Sequence, residues 1–223
     1  MKISATPATA QSRIKDIVNV EGVRDNLLVG YGLVVGLNGT GDSLQSAPFT
    51  QQSLIGMLER LGINTRDEIN ALKTANVAAV MVTATLPPFS RQGSRIDVTV
   101  SSLGDSDSLQ GGTLLVTPML GADGEIYAVA QGTIAVGGFA AGGAAETVIK
   151  GVPTSGRIAN GATIEREIPF QLANMKQIKL SLRNPDFTTA RRISRAINAF
   201  VGLPVAQATD PATVVMKTPK NYN

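Results

Sequence analysis

The sequence predicts a mixed α/β, α+β protein. A β-rich first domain with one or two helices is expected, followed by a small second domain in the order strand, strand, helix, strand. Three observations carry this. Aromatic residues are 4% of the 223-residue chain and Trp is absent, so the core must be built from Val, Ile, Leu and Ala, which suits β-rich packing. Alternating or continuous apolar runs recur between residues 27 and 136. Two well-separated stretches carry an apolar stripe of helical period.

Taken in order, residues 1–12 read as a flexible leader of small and polar side chains. LLVGYGLVVGL at 27–37 is β-prone, and glycines inside such a run signal a bulge or a close backbone approach. Asn38 to Ser43 reads as a tight loop. A helix then starts near Pro48, with Thr50 as its N-cap, Leu54, Leu58 and Leu61 as its stripe, and Gly62 as its stop. Thr65 and Glu68 have capping-box spacing for a short second helix reaching Leu72.

Residues 77–86 are almost continuously apolar and predict a buried strand, stopped by Pro87 and Pro88. Arg95 to Ser101 alternates, with Ile96, Val98 and Val100 on one face and Asp97 and Thr99 on the other. Strands over 113–120 and 125–136 are joined by Gly121-Ala122-Asp123-Gly124, a hairpin signal. The Gly/Ala-rich stretch at 137–145 reads as a mobile loop.

Further strands are expected at 162–170 and 177–182, and a last one at 213–218. Between them, a helix over 187–201 places Ala190, Ile193, Ile197 and Phe200 on one face and Arg191 and Arg195 on the other, with Arg192 flanking. Asp186 or Thr188 caps it, and Gly202 and Pro204 end it. The resulting division is a leader at 1–12, a β-rich domain at 13–136, a loop and linker at 137–155, a small α+β domain at 156–219 and a tail at 220–223.

Composition also bounds the chemistry. Without Cys or His the chain lacks thiol nucleophiles, thiolate or imidazole metal ligands and the usual general base near neutral pH. No cofactor, metal or catalytic site is expected. Residues 1–124 carry 9 Lys/Arg against 11 Asp/Glu, a net of −2, and residues 125–223 carry 11 against 6, a net of +5. The basic face Arg191, Arg192 and Arg195 is a candidate subunit or partner contact, with a solvated helix surface as the plainer reading. Aromatic stacking residues do not accompany it, so nucleic acid is not expected. No apolar run approaches the ~20 residues of a membrane span, and Met1 to Gln11 lacks the apolar core of a signal peptide.

Two glycine motifs need weighing. Gly36 to Ser43 has the spacing of a phosphate-binding loop, but Asp42 stands where the lysine belongs, and a carboxylate there repels phosphate. A structural turn is therefore expected. Gly30-Tyr31-Gly32 lacks the third glycine of a dinucleotide fingerprint, because position 35 is Val35. Asp105, Asp107, Asp123, Glu165 and Glu167 are expected to serve turns and solvation, in the absence of an orienting partner.

The longer strings are more specific. Arg13 to Ile17, Val20 to Asn26, LVGYGLVVGLNGTGDS at 28–43, the stretch from Leu72 to Gly132, and GRIANGATIERE at 156–167 resemble the flagellar P-ring protein family, over about residues 13–218. The resemblance implies a non-enzymatic structural subunit, exported to the periplasm with a cleaved signal. It also implies a homo-oligomeric ring that serves as a bushing around the distal rod at the peptidoglycan layer, beneath the L ring, in a family with a further C-terminal portion. The partners implied are other copies of the chain, the rod protein, the L-ring protein and peptidoglycan, without membrane insertion.

Rod contact that permits rotation should rest on diffuse charge. Lys73 is the first candidate, because the family often has a basic residue there, followed by Arg91 and Arg95. Asp107 departs from relatives that carry lysine. The alternative reading is a peptidoglycan-binding or glycan-cleaving periplasmic domain, which would need a cleft with paired carboxylates.

Overall fold

A computed structural model describes residues 12–62, 74–137, 139–142, 147–150, 152–168 and 175–218. Its contacts gather into two units, a barrel unit over Asp25–Ile168 and a terminal unit formed by Met1–Arg24 with Pro169–Asn223. The short α1 (Ile14–Ile17) and β1 (Val18–Val20) belong to the terminal unit.

The barrel unit contains β2 (Asn26–Val35), α2 (Pro48–Arg60), β3 (Val77–Leu86), β4 (Arg95–Ser102), β5 (Thr113–Leu120), β6 (Ile126–Thr133), β7 (Ala135–Val136), β8 (Phe139–Gly142), β9 (Thr147–Lys150) and β10 (Ser155–Ile164). The strand order is β4-β3-β2-β5-β6-β10-β7, and β10 also pairs with β4. The sheet therefore closes on itself as an antiparallel barrel, which removes the exposed edges that an open sheet would present.

β10 closes it by changing partner along its length. On one side it pairs with β4 both before and after the bulge, and on the other it pairs first with β7 and then, through Ala162, Thr163 and Ile164, with Ala130, Val129 and Ala128 of β6. The change is made at a bulge where Asn160 has φ +52. Asp97 holds that bulge by accepting the Asn160 N–H at 2.7 Å.

The core follows the expected alternation. Ile96, Val98 and Val100 of β4 point inward, while Asp97 and Thr99 face solvent. β3 reads as continuously apolar because its two halves differ. Val77 and Ala79 lie in a small cluster with Leu54 of α2, whereas Thr83 and Thr85 at corresponding positions further along are exposed. The glycines of β2 mark a close approach. A Cβ on Gly30 would sit 2.6 Å from the Pro118 carbonyl oxygen, and one on Gly32 would collide with the fully buried Thr117. Thr117 occupies a register shift in β5 and returns its hydroxyl to the Leu115 carbonyl at 2.8 Å.

Several expectations are corrected here. Ala47, not Thr50, is the N-cap of α2, and Pro48 takes the first helical position, where its missing N–H costs nothing. Thr50 is buried and has another role, described below. Leu61 falls beyond the last helical residue and is exposed. Within the Gly/Ala-rich stretch read as a mobile loop, β8 pairs with β9 as an antiparallel ribbon, from Phe139↔Lys150 to Gly142↔Thr147. The strand expected at 162–170 runs over Ser155–Ile164 instead, so the chain from 156 to 164 belongs to the barrel's closing strand. Pairing with β4, 60 residues earlier in sequence, sets those limits, and local composition does not record it. The expected second helix up to Leu72 and most of the leader lie outside the described residues.

The terminal unit adds β11 (Gln177–Leu182), α3 (Phe187–Val201), β12 (Ala206–Ala208) and β13 (Thr213–Lys217). Its antiparallel sheet has the order β1-β11-β13-β12, so strands expected from the sequence are joined by β1 and β12, each too short to announce itself. Val18, Leu180, Leu182, Ala190, Ile193, Ala206 and Val214 form its core. Asp186 caps α3 by accepting the Thr189 N–H at 2.7 Å, and Gly202 ends it in a left-handed turn with φ +75. Among the described residues, no helix is long and apolar enough to cross a membrane.

Candidate subunit-contact surface

The loop with phosphate-binding spacing is occupied by the protein itself. The Gly39 N–H donates to Asn76 Oδ1 at 3.0 Å, Gly41 to the Ala75 carbonyl at 2.6 Å, Asp42 to the Val77 carbonyl at 2.8 Å and Ser43 to Asp105 Oδ1 at 2.9 Å. These are the amides that would cradle a phosphate. Asp42 is fully buried, and its carboxylate accepts the Thr50 hydroxyl at 2.7 Å, the Ala79 N–H at 2.8 Å and the Ser106 N–H at 3.0 Å. The loop is a junction that ties α2, β3 and the 102–109 turn together.

Four exposed carboxylates are likewise engaged locally. The Asn160 N–H and then Arg157 hold the Asp97 carboxyl below its usual range. The Tyr127 hydroxyl, followed by the Glu125 N–H, does the same for Asp123. The Gln92 N–H leads for Glu167, with Arg91 assisting, and the Thr189 hydroxyl leads for Asp186. Each of these four carboxyls is thus held low by its local donors.

Of the rod-contact candidates, Lys73 lies outside the described residues. Arg91 is exposed in the turn after β3 and pairs with Glu167 at 3.0 Å. Arg95 is exposed at the start of β4, opposite Thr163 of β10. The structure thus brings Arg91 and Arg95 near one rim of the barrel, since the Gly93 and Ser94 turn between them bonds to Ile164.

On the terminal unit, Arg191, Arg192 and Arg195 are all exposed on α3, as their spacing predicts. Phe200 is corrected. It lies seven residues after Ile193, on the same side of the helix, but it falls in the last turn of α3 and is 89% exposed. Instead it walls an apolar groove of 620 Å³ with Ile14, Ile178, Ile197, Val205 and Met216.

The family model described as flagellar P-ring protein matches residues 13–223. The chain belongs to the flagellar P-ring protein family. It is 63% identical over 220 residues to the "Flagellar P-ring protein" of Paramagnetospirillum magneticum, covering 96% of this chain and 56% of that relative. The Rhodospirillum rubrum protein of the same name is also 63% identical, over 99% of this chain and 58% of the relative. "Flagellar P-ring protein 1" of Bradyrhizobium diazoefficiens is 59% identical, over 100% of this chain and 59% of the relative. The chain therefore spans somewhat under three fifths of the length of these relatives.

For this P-ring family member, the groove escaped the sequence reading because its walls come from α1, β11, α3 and β13, spread from Ile14 to Met216. One signal was present. Phe200 and Leu203 are large apolar residues at the end of a helix next to Gly202, and both are exposed.

Proposed function

We propose that the chain is a structural, non-enzymatic subunit of the periplasmic P ring of the flagellar basal body, forming a closed homo-oligomer that acts as a bushing around the distal rod. The observation that carries this is the near-complete match of the chain to P-ring proteins. A closed ring needs head-to-tail contacts, in which each subunit presents two different patches. The apolar groove of the terminal unit and the exposed Leu27 and Val29 of the barrel unit can supply two such patches.

In this reading the ring sits at the peptidoglycan layer beneath the L ring, and these are its neighbours. Lys73, Arg91 and Arg95 face the rod. Contact through solvated charges tolerates sliding, because such charges are not locked into one desolvated arrangement.

Immunogold labelling of purified basal bodies tests the ring itself, and absence of label from the periplasmic ring overturns it. Co-sedimentation with purified rods tests the bushing. Pelleting should be strong at about 50 mM salt and fall at about 500 mM, where the screening length is only a few ångströms. Lys73→Asp should weaken it further. Pelleting that ignores both salt and this substitution overturns the electrostatic contact.

A further inference from the structure

Charge in this chain is sorted by structural unit. The barrel unit, Asp25–Ile168, carries 8 Lys/Arg against 13 Asp/Glu, a net of −5. The terminal unit carries 12 Lys/Arg against 4 Asp/Glu, a net of +8. The separation is sharper than between the two halves of the sequence, because the basic N-terminal segment joins the basic C-terminal one.

Each unit also exposes apolar surface. On the terminal unit this is the groove walled by Phe200, Ile197 and Met216, with Lys217 at its edge. On the barrel it is a row across three neighbouring strands. Leu27 is 77% exposed and Val29 45% exposed on the outer face of β2. Val29 is opposite Leu120 of β5, which in turn is opposite the exposed Ile126 of β6. Asp123 and Glu125 stand in the hairpin at the end of that row. α2 and its cluster cover Leu33 further along β2 and leave this stretch of the strand bare.

We infer that the terminal-unit groove of one copy receives the Leu27, Val29 and Ile126 row of a second copy, with opposite net charge orienting the encounter. The inference rests on the ring reading above and specifies its contact. The occupant is a second copy because the chain itself carries the complement on both counts, an exposed apolar row on a unit of net −5 for an apolar groove on a unit of net +8. The contact is heterologous, so it propagates from copy to copy.

Sedimentation velocity on the full chain tests this with two substitutions at exposed positions, Phe200→Glu in the groove and Leu27→Glu in the row. Unchanged melting temperatures show that both variants remain folded. The wild type should assemble beyond a dimer, and raising salt from about 50 to about 500 mM should weaken assembly at least about fivefold. Each variant alone should self-associate at least about tenfold more weakly. An equimolar mixture of the two should form dimers and stop there, since one intact groove meets one intact row. A mixture that stays monomeric, variants that assemble like the wild type, or a wild type that stays monomeric at all concentrations overturns this contact. Basal-body labelling decides the ring reading separately, whichever of these is found.

Discussion

The carboxylate of Asp42 accepts the hydroxyl of Thr50 at 2.7 Å inside a fully buried site, where it also receives the Ala79 and Ser106 amides. Three donors from three segments converge on one side chain, so the helix, the barrel wall and the 102–109 turn share a common anchor. Gly104 is part of the arrangement, since a Cβ there would run into the same carboxylate.

Asp42→Ala should therefore destabilise the barrel by about 3 kcal/mol or more, because it leaves buried donors unpaired. Thr50→Val removes one donor together with its need for an acceptor and should cost about 1 kcal/mol. Urea unfolding followed by circular dichroism checks both, and equal losses for the two variants would contradict the anchor.

Gly32→Ala should cost about 2 kcal/mol, because the new methyl meets Thr117 in a packed interior. Thr117→Ala in the same background should recover part of that loss. A double-mutant cycle read by urea midpoints gives the coupling, and strictly additive losses would mean that the two residues do not oppose each other.

Asn198 links α3 to β12 with both ends of its amide, accepting from the Ala206 N–H at 2.7 Å and donating to its carbonyl at 2.9 Å. Ala206 is buried, so Asn198→Ala strands a donor and an acceptor and should cost about 2 kcal/mol. Amide hydrogen exchange at Ala206 should rise with it. Unchanged protection there would show that β12 is held by other contacts.

Asp186 supplies the pH dependence of the terminal unit. Its carboxyl is lowered from 3.8, first by the Thr189 hydroxyl and then by the Thr189 N–H. A folded value below the unfolded one means that its stabilisation is fully present above the unfolded value and is lost as pH falls through the folded value. Asp186→Asn keeps a capping side chain but cannot titrate. Melting temperatures of wild type and variant should therefore run parallel above about pH 5 and converge in favour of the variant below about pH 4. Parallel curves down to about pH 2 would rule out this linkage.

Much of the α+β fold was legible in local pattern. Period-2 alternation located Ile96, Val98 and Val100 inside the barrel, and the 3.6 period with Asp186 and Gly202 bounded α3 at Phe187–Val201. Asp42 in the lysine position was enough to reject the phosphate loop on charge, and the structure adds what the aspartate does instead. Thr50 misled because a Thr beside the start of a helix has the same local appearance whether it caps the helix or reaches inward.

The sequence by itself determined the family, the makeup of the core, the principal strands and helices, and the absence of thiol and imidazole chemistry. Those features depend on residue identity and short-range spacing, which a linear chain displays directly. Only the tertiary structure decided that β10 closes a barrel with β4, that β1 joins β11 across about 160 residues, and that basic residues from both ends of the chain fall in one unit. Strand partners and groove walls are set by which distant surfaces bury one another, and period-2 or period-3.6 patterns record that a face is apolar without recording what covers it.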